Sequence, residues 1–142
     1  MWQWLLRLAR QLKRGDEHCT LGDRGENLAA RYLEERGFRV LERQLRGRHG
    51  ELDLIAMDGE TVVFVEVKTR TTRGAGDPAE AVTFAKQKRI TQSALTYLKR
   101  RGWLERRTRF DVVSILWNGG DGKPEIQHYR SAFEAAGFGQ MY

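Results

Sequence analysis

Val63-Phe64-Val65-Glu66-Val67-Lys68-Thr69-Arg70, VFVEVKTR, starts as a strand apolar on both faces and turns charged half-way along. A strand with one wet face alternates polar and apolar residues throughout, and positions 62–65 do not, so this strand runs through a core. Glu66 and Lys68 are two residues apart and share a face. Either they mark where the strand leaves the core, or they are held there to do chemistry.

The preceding segment bears on that choice. Glu51-Leu52-Asp53-Leu54-Ile55-Ala56 reads as a strand, Asp58-Gly59 as a hairpin turn, and Thr61 to Lys68 as the returning strand. With Asp58-Gly59 as a two-residue turn, Met57 opposes Glu60, Asp53 opposes Phe64 and Glu51 opposes Glu66. Glu51, Asp53, Glu66 and Lys68 then project from one face, with Asp53 and Glu66 as diagonal neighbours roughly 7–8 Å apart. Two carboxylates so placed repel unless one is protonated or a cation intervenes. At about 4 Å and an effective dielectric near 20, the cost is roughly 4 kcal/mol. Lys68 offsets part of it, and a hard divalent cation would offset more. Oxygen donors of this kind suit magnesium or manganese rather than zinc. Glu26 adds a third acid, three residues before Ala29 and seven before Leu33, on the sheet-facing stripe of the helix expected from Leu21 to Arg36.

The remaining elements are a helix stop at Gly37, a short strand Phe38–Glu42 and a basic loop Arg46-Gly47-Arg48-His49-Gly50. Asp77-Pro78 reads as a helix start. The helical stretch, broken near Thr83-Phe84, runs to Arg101 and stops at Gly102. Strands Arg109–Trp117 and Ile126–Tyr129 flank the turn Asn118–Gly122. The order α-β-β-β-α-β-β predicts an α/β fold, one mixed sheet flanked by helices.

The chain has 142 residues, 40% of them hydrophobic and 31% charged, a composition that suits one globular domain over 19–142. Residues 1–18 read as a basic amphipathic extension, with Trp2, Leu5, Leu6, Ala9 and Leu12 at helical spacing. Arg7, Arg10, Lys13 and Arg14 supply +4 of the net charge of +6, and the other basic residues fall in local clusters able to bind phosphate. Cys19 is the only cysteine, which together with the lack of an export signal predicts a cytoplasmic protein. No apolar run approaches the roughly 20 residues that span a bilayer. His18, His49 and His128 lack zinc spacing, and Gly74-Ala75-Gly76 makes no nucleotide-binding loop. Trp103, Trp117 and Phe110 read as core.

GENLAARYL, GELDLIA, VFVEVKTR, DPAEAVTFAKQKRI, RFDVV and HYRSAFEA together resemble successive blocks of the YraN family, over about Leu21 to Phe133. That family is related to archaeal Holliday junction resolvases. The resemblance implies the restriction-endonuclease-like fold with its αβββαβ core, and the superfamily pattern Pro-Asp, spacer, Asp/Glu-x-Lys. Asp53 matches the Asp, Glu66-Val67-Lys68 the Glu-x-Lys, and Glu26 the helix acid of the resolvase branch, while Leu52 replaces the proline. The implied activity is endonucleolytic hydrolysis of DNA phosphodiesters, including branched DNA. Asp53, Glu66, the Val67 backbone carbonyl and Glu26 would hold Mg²⁺ or Mn²⁺, and Lys68 would serve the attacking water or the transition state. Arg46, Arg48, Arg70 and Lys86 are the expected phosphate contacts, and a homodimer is compatible with this reading. The rival readings are a non-catalytic nucleic-acid-binding or scaffold protein that keeps the fold, and cleavage of RNA.

Overall fold

A computed structural model describes residues 20–71, 82–117 and 123–136, together with Gln3. Apart from Gln3, the N-terminal extension lies outside the described residues, as do Cys19, the Gly74–Gly76 loop, the Asp77-Pro78 helix start and the Asn118–Gly122 turn. Helix α1 spans Leu21–Glu35, followed by strands β1 (Arg39–Gly47), β2 (Gly50–Asp58) and β3 (Thr61–Arg70). Helix α2 spans Phe84–Arg101, and β4 (Thr108–Leu116) and β5 (Glu125–Phe133) follow. The strands form a five-stranded sheet in sequence order. Only the β3–β4 pair is parallel, with α2 as its crossover. This is the expected mixed α/β arrangement, and it is consistent with an αβββαβ core.

β3 is central, and that accounts for its two apolar faces. Val63 and Val65 pack with Leu54, Ala56, Val113 and Ile115 against Leu28, Ala29 and Leu33 of α1. Val62 and Phe64 pack with Ile55, Met57 and Val112 against Ile90, Ala94 and Tyr97 of α2. The strand is covered on both sides, so it carries no polar alternation until its C-terminal end.

Caps fix both helices. Thr20 and Asp23 form a reciprocal capping box at the start of α1, with both hydrogen bonds 3.1 Å long. Thr83 caps α2 by accepting from the Lys86 amide, and Gly102 ends it at φ 70°. The described part of the helical stretch therefore begins at the expected break.

Two expectations are corrected. The β2–β3 turn is centred one residue later, with Asp58 paired to Thr61 and Gly59-Glu60 as its centre. Gly59 adopts φ 60°, a left-handed value that glycine takes without a side-chain penalty. Asp58 stays in the ladder, where its carboxylate takes a guanidinium bond from Arg109 at 2.9 Å. Within the paired residues the facing partners move by two, and the expected alternation does not carry through to Asp53 and Glu51: Leu54 packs on the α1 side whereas Leu52 packs on the α2 side with Ile55. The Arg46–Gly50 segment is not an open loop either: Gly47 pairs with Gly50, making a tight hairpin tip of Arg48 and His49.

Candidate active site

The β2–β3 pairing ends at Leu54 and Val65. Beyond it the Asp53 Oδ2 accepts the Val67 amide at 2.9 Å, so a carboxylate takes a hydrogen bond that a strand partner would otherwise accept. Gln44, across on β1, has φ 49° and also departs from strand geometry. The interruption turns Asp53 toward acids from both layers. Glu26 reaches it from α1, and Glu66 meets it from β3.

Gly25 lets α1 come this near. A Cβ there would lie 2.0 Å from the Thr69 Oγ1 and 3.2 Å from its Cβ. The helix turn before Glu26 therefore rests directly on the end of β3.

The electrostatics follow from this crowding. Burial, the Glu66 charge and the Glu26 charge raise the Asp53 pKa to about 8, against the opposing pull of the Val67 amide. Burial also raises Glu26, with Glu51 and Asp23 adding to it and hydrogen bonds from Gln44 and Asp53 working against it. Two lysines answer the acids from the α2 side. Lys86, in the first turn of α2, contacts Glu66 Oε1, and Lys68 Nζ lies 3.8 Å from the same oxygen. Burial and the neighbouring Lys86 lower the Lys68 pKa. Burial opposes charge on Lys86 as well, but its contact with Glu66 outweighs this and raises its pKa.

The donor set suits a hard cation. Glu26, Glu51 and Asp53 each present an oxygen within 4.8 Å of the others'. All the donors are carboxylate oxygens, the chemistry of magnesium, manganese or calcium. Glu26, Asp53, Glu66 and Lys68 thus meet at one end of the sheet. Glu51 joins them through Glu26 and Asp53, a residue that the expected facing pattern grouped with these acids but that was not singled out as a site residue. It is exposed and ion-paired with Arg46 at 3.2 Å.

The profile of the uncharacterised protein family UPF0102 matches residues 25–115, a span containing every one of these groups. The chain belongs to that family. It is 53% identical over 116 residues to the UPF0102 protein of Rhodococcus jostii (strain RHA1), an alignment covering 82% of this chain and 98% of the relative. It is 49% identical over 117 residues to a UPF0102 protein of Geobacter metallireducens, covering 82% and 94%. A UPF0102 protein of Anaeromyxobacter dehalogenans is 46% identical over 123 residues, covering 87% and 90%. The YraN-like resemblance drawn from the sequence blocks is therefore upheld.

The four expected phosphate contacts of this UPF0102 protein are placed differently. Arg48 is exposed at the β1–β2 tip. Arg46 is tied to Glu51, and Lys86 to Glu66. Arg70 is half-buried at the end of β3, where its carbonyl accepts the Trp117 amide at 2.8 Å.

A second polar centre went unread in the sequence. Asp111 of β4 is fully buried. Arg109 holds it with two bonds of 2.8 and 3.0 Å, His128 lies 2.7 Å away, and the Ser131 amide donates at 3.0 Å. Burial alone would raise the Asp111 pKa, but His128, Arg109 and the Ser131 amide together hold it below the ordinary value. The available signal was RFDVV itself, where an aspartate interrupts an apolar strand.

No helix among the described residues is long and apolar enough to cross a membrane.

Proposed function

We propose that this UPF0102 protein is a metal-dependent endonuclease that hydrolyses phosphodiester bonds in DNA, with branched or otherwise structured DNA as its preferred substrate. The observation that carries this reading is the meeting of Glu26, Asp53, Glu66 and Lys68 where β2 and β3 part. Evolution has little structural reason to crowd three acids at a strand end unless a cation is to be held there.

In this reading Asp53, Glu66, Glu26 and the Val67 carbonyl hold Mg²⁺ or Mn²⁺, and Glu51 lies within reach of the same position. A bound divalent cation would supply an activated water and offset charge on the phosphate. Asp53 must first give up the proton that its surroundings favour. Lys86 keeps the Glu66 carboxylate in place from α2. Lys68, with its pKa lowered, can accept a hydrogen bond or proton from water, and when charged it neutralises the developing oxyanion. The reaction would take place in the cytoplasm, where a chain whose only cysteine is Cys19 needs no disulfide.

The test is cleavage of labelled duplex, single-stranded, flap and four-way-junction DNA with Mg²⁺ or Mn²⁺. Asp53→Asn and Glu66→Gln should each reduce cutting by about 10³-fold or more, the equivalent of several kcal/mol of transition-state stabilisation. Lys68→Ala should reduce it by at least about 100-fold. Equal cutting by all four proteins would mean that the activity is a contaminant's. Nucleic-acid binding without metal-dependent cutting would establish a binding protein that keeps the fold.

A further inference from the structure

Helix α2 carries a charge pattern that the carboxylate cluster does not use. Its residues include six cations, Lys86, Lys88, Arg89, Lys99, Arg100 and Arg101, and no acid. Cations near the start of a helix run against its dipole, which favours acids there. Lys86 has Glu66 to answer it. Lys88 and Arg89, about a turn further on, are exposed and meet no carboxylate among the described residues. Arg31, Arg43, Arg46, Arg109 and Arg130, elsewhere on the molecule, each lie against one.

The pattern continues past the helix. Arg106 and Arg107 follow in the loop to β4, both exposed, with Glu105 as the loop's one acid. Trp103 is clasped by two guanidinium groups, those of Arg101 at 4.6 Å and Arg106 at 4.5 Å from its ring. Arg101 also donates to the Tyr97 hydroxyl at 3.2 Å. These contacts fix two guanidinium planes at small entropic cost and leave their outer N–H groups available to an anion.

Lys86 and Arg101 bracket the buried stripe Ile90, Ala94 and Tyr97. At about 1.5 Å rise per residue they stand about 22 Å apart. That distance corresponds to roughly six or seven base pairs at about 3.4 Å per step.

We propose that α2 and the loop after it form a track for the phosphate backbone of a nucleic-acid duplex, leading away from the carboxylate cluster, with Arg101, Trp103 and Arg106 as its far anchor. The track rests on the nuclease reading for the nature of its occupant, and it accounts for how a duplex is held several base pairs from the bond under attack. An acid-free cationic helix repels no phosphate along its length, and such contacts position a duplex without reading its sequence.

The experiment is fluorescence anisotropy of a 20-base-pair duplex and a four-way junction, in EDTA so that nothing is cut, across a series of salt concentrations. The variant Lys99→Gln/Arg100→Gln/Arg106→Gln/Arg107→Gln changes only exposed side chains, and Arg31→Gln/Arg36→Gln, on α1 and at its C-cap, serves as the control. The track predicts that the four-site variant loses at least about tenfold in affinity at 0.1 M salt. Its slope of log affinity against log salt should also be shallower by about 2 to 4, at roughly 0.9 per lost phosphate contact, with the control unchanged. An unchanged slope in the four-site variant would overturn the track and leave the nuclease reading intact. Failure of the wild type to bind either nucleic acid would overturn both.

Discussion

Asp53 on β2 and Asp111 on β4 flank the central strand β3, and their surroundings are opposite. Asp111 receives two bonds from Arg109, a contact from His128 and an amide from Ser131, and its pKa is held below the ordinary value. Asp53 receives one amide and is crowded by Glu66 and Glu26, and its pKa is pushed up to about 8. The first centre is complete within the protein and belongs to its architecture, joining the β2–β3 turn, β4 and β5. The second is short of positive charge and lies open at a strand end. A buried acid with its partners in place serves stability, whereas one crowded by other acids has the charge and donors that suit a cation.

Substitution should separate the two most strongly. Asp111→Asn leaves the Arg109 guanidinium short of its main partner and should cost about 3–5 kcal/mol in denaturant unfolding. Asp53→Asn removes a repulsive group and should not lower metal-free stability at all. Comparable losses from both would erase the distinction. A smaller effect is expected where α1 meets β3. Gly25→Ala drives a methyl group into Thr69 and should cost about 1–3 kcal/mol, weakening cation binding as Glu26 is pushed away. Unaltered melting and unaltered Mn²⁺ affinity would show that the close approach is dispensable.

The third comparison is a pH trend with a definite sign. The folded-state pKa of Asp53 lies above that of an unfolded aspartate, about 3.9, so the folded protein keeps a proton that the unfolded chain releases. Its contribution to stability is full below about pH 4 and is lost as pH rises to about 8. Metal-free wild type should therefore fall behind Asp53→Asn over that window, by at most about 1.4 kcal/mol per pH unit, and no further above it. Paired urea titrations at several pH values would show this; parallel curves would contradict the assigned environment of Asp53.

Much of this was legible from periodicity. The two apolar faces of VFVEVKTR marked a strand covered on both sides, and parity placed Glu66 and Lys68 together on the Phe64 face. The turn was misplaced by one residue because Asp58-Gly59 and Gly59-Glu60 both offer a glycine to a two-residue hairpin, and the Arg109 contact that accompanies Asp58 in the ladder comes from a distant strand. Lys86 was read as a phosphate contact, since nothing local reveals that the crossover brings the first turn of α2 onto Glu66. The Asp111 centre was half hidden for the same reason: Arg109 stands two residues away on β4 itself, but His128 and the Ser131 amide come from β5, and pattern along one strand cannot show pairing across to the next. Glu26 was legible as an acid on an inward stripe, but the role of Gly25 in bringing it close depends on the neighbouring Thr69.

The most direct test is a calorimetric titration of Mn²⁺ into wild type, Asp53→Asn and Asp58→Asn at pH 8. The crowded cluster should bind the cation in the wild type and in Asp58→Asn, whose acid belongs to the compensated centre, and binding should be abolished in Asp53→Asn. Equal binding by all three proteins, or none by the wild type, would contradict the assignment of the Asp53 cluster as a cation site.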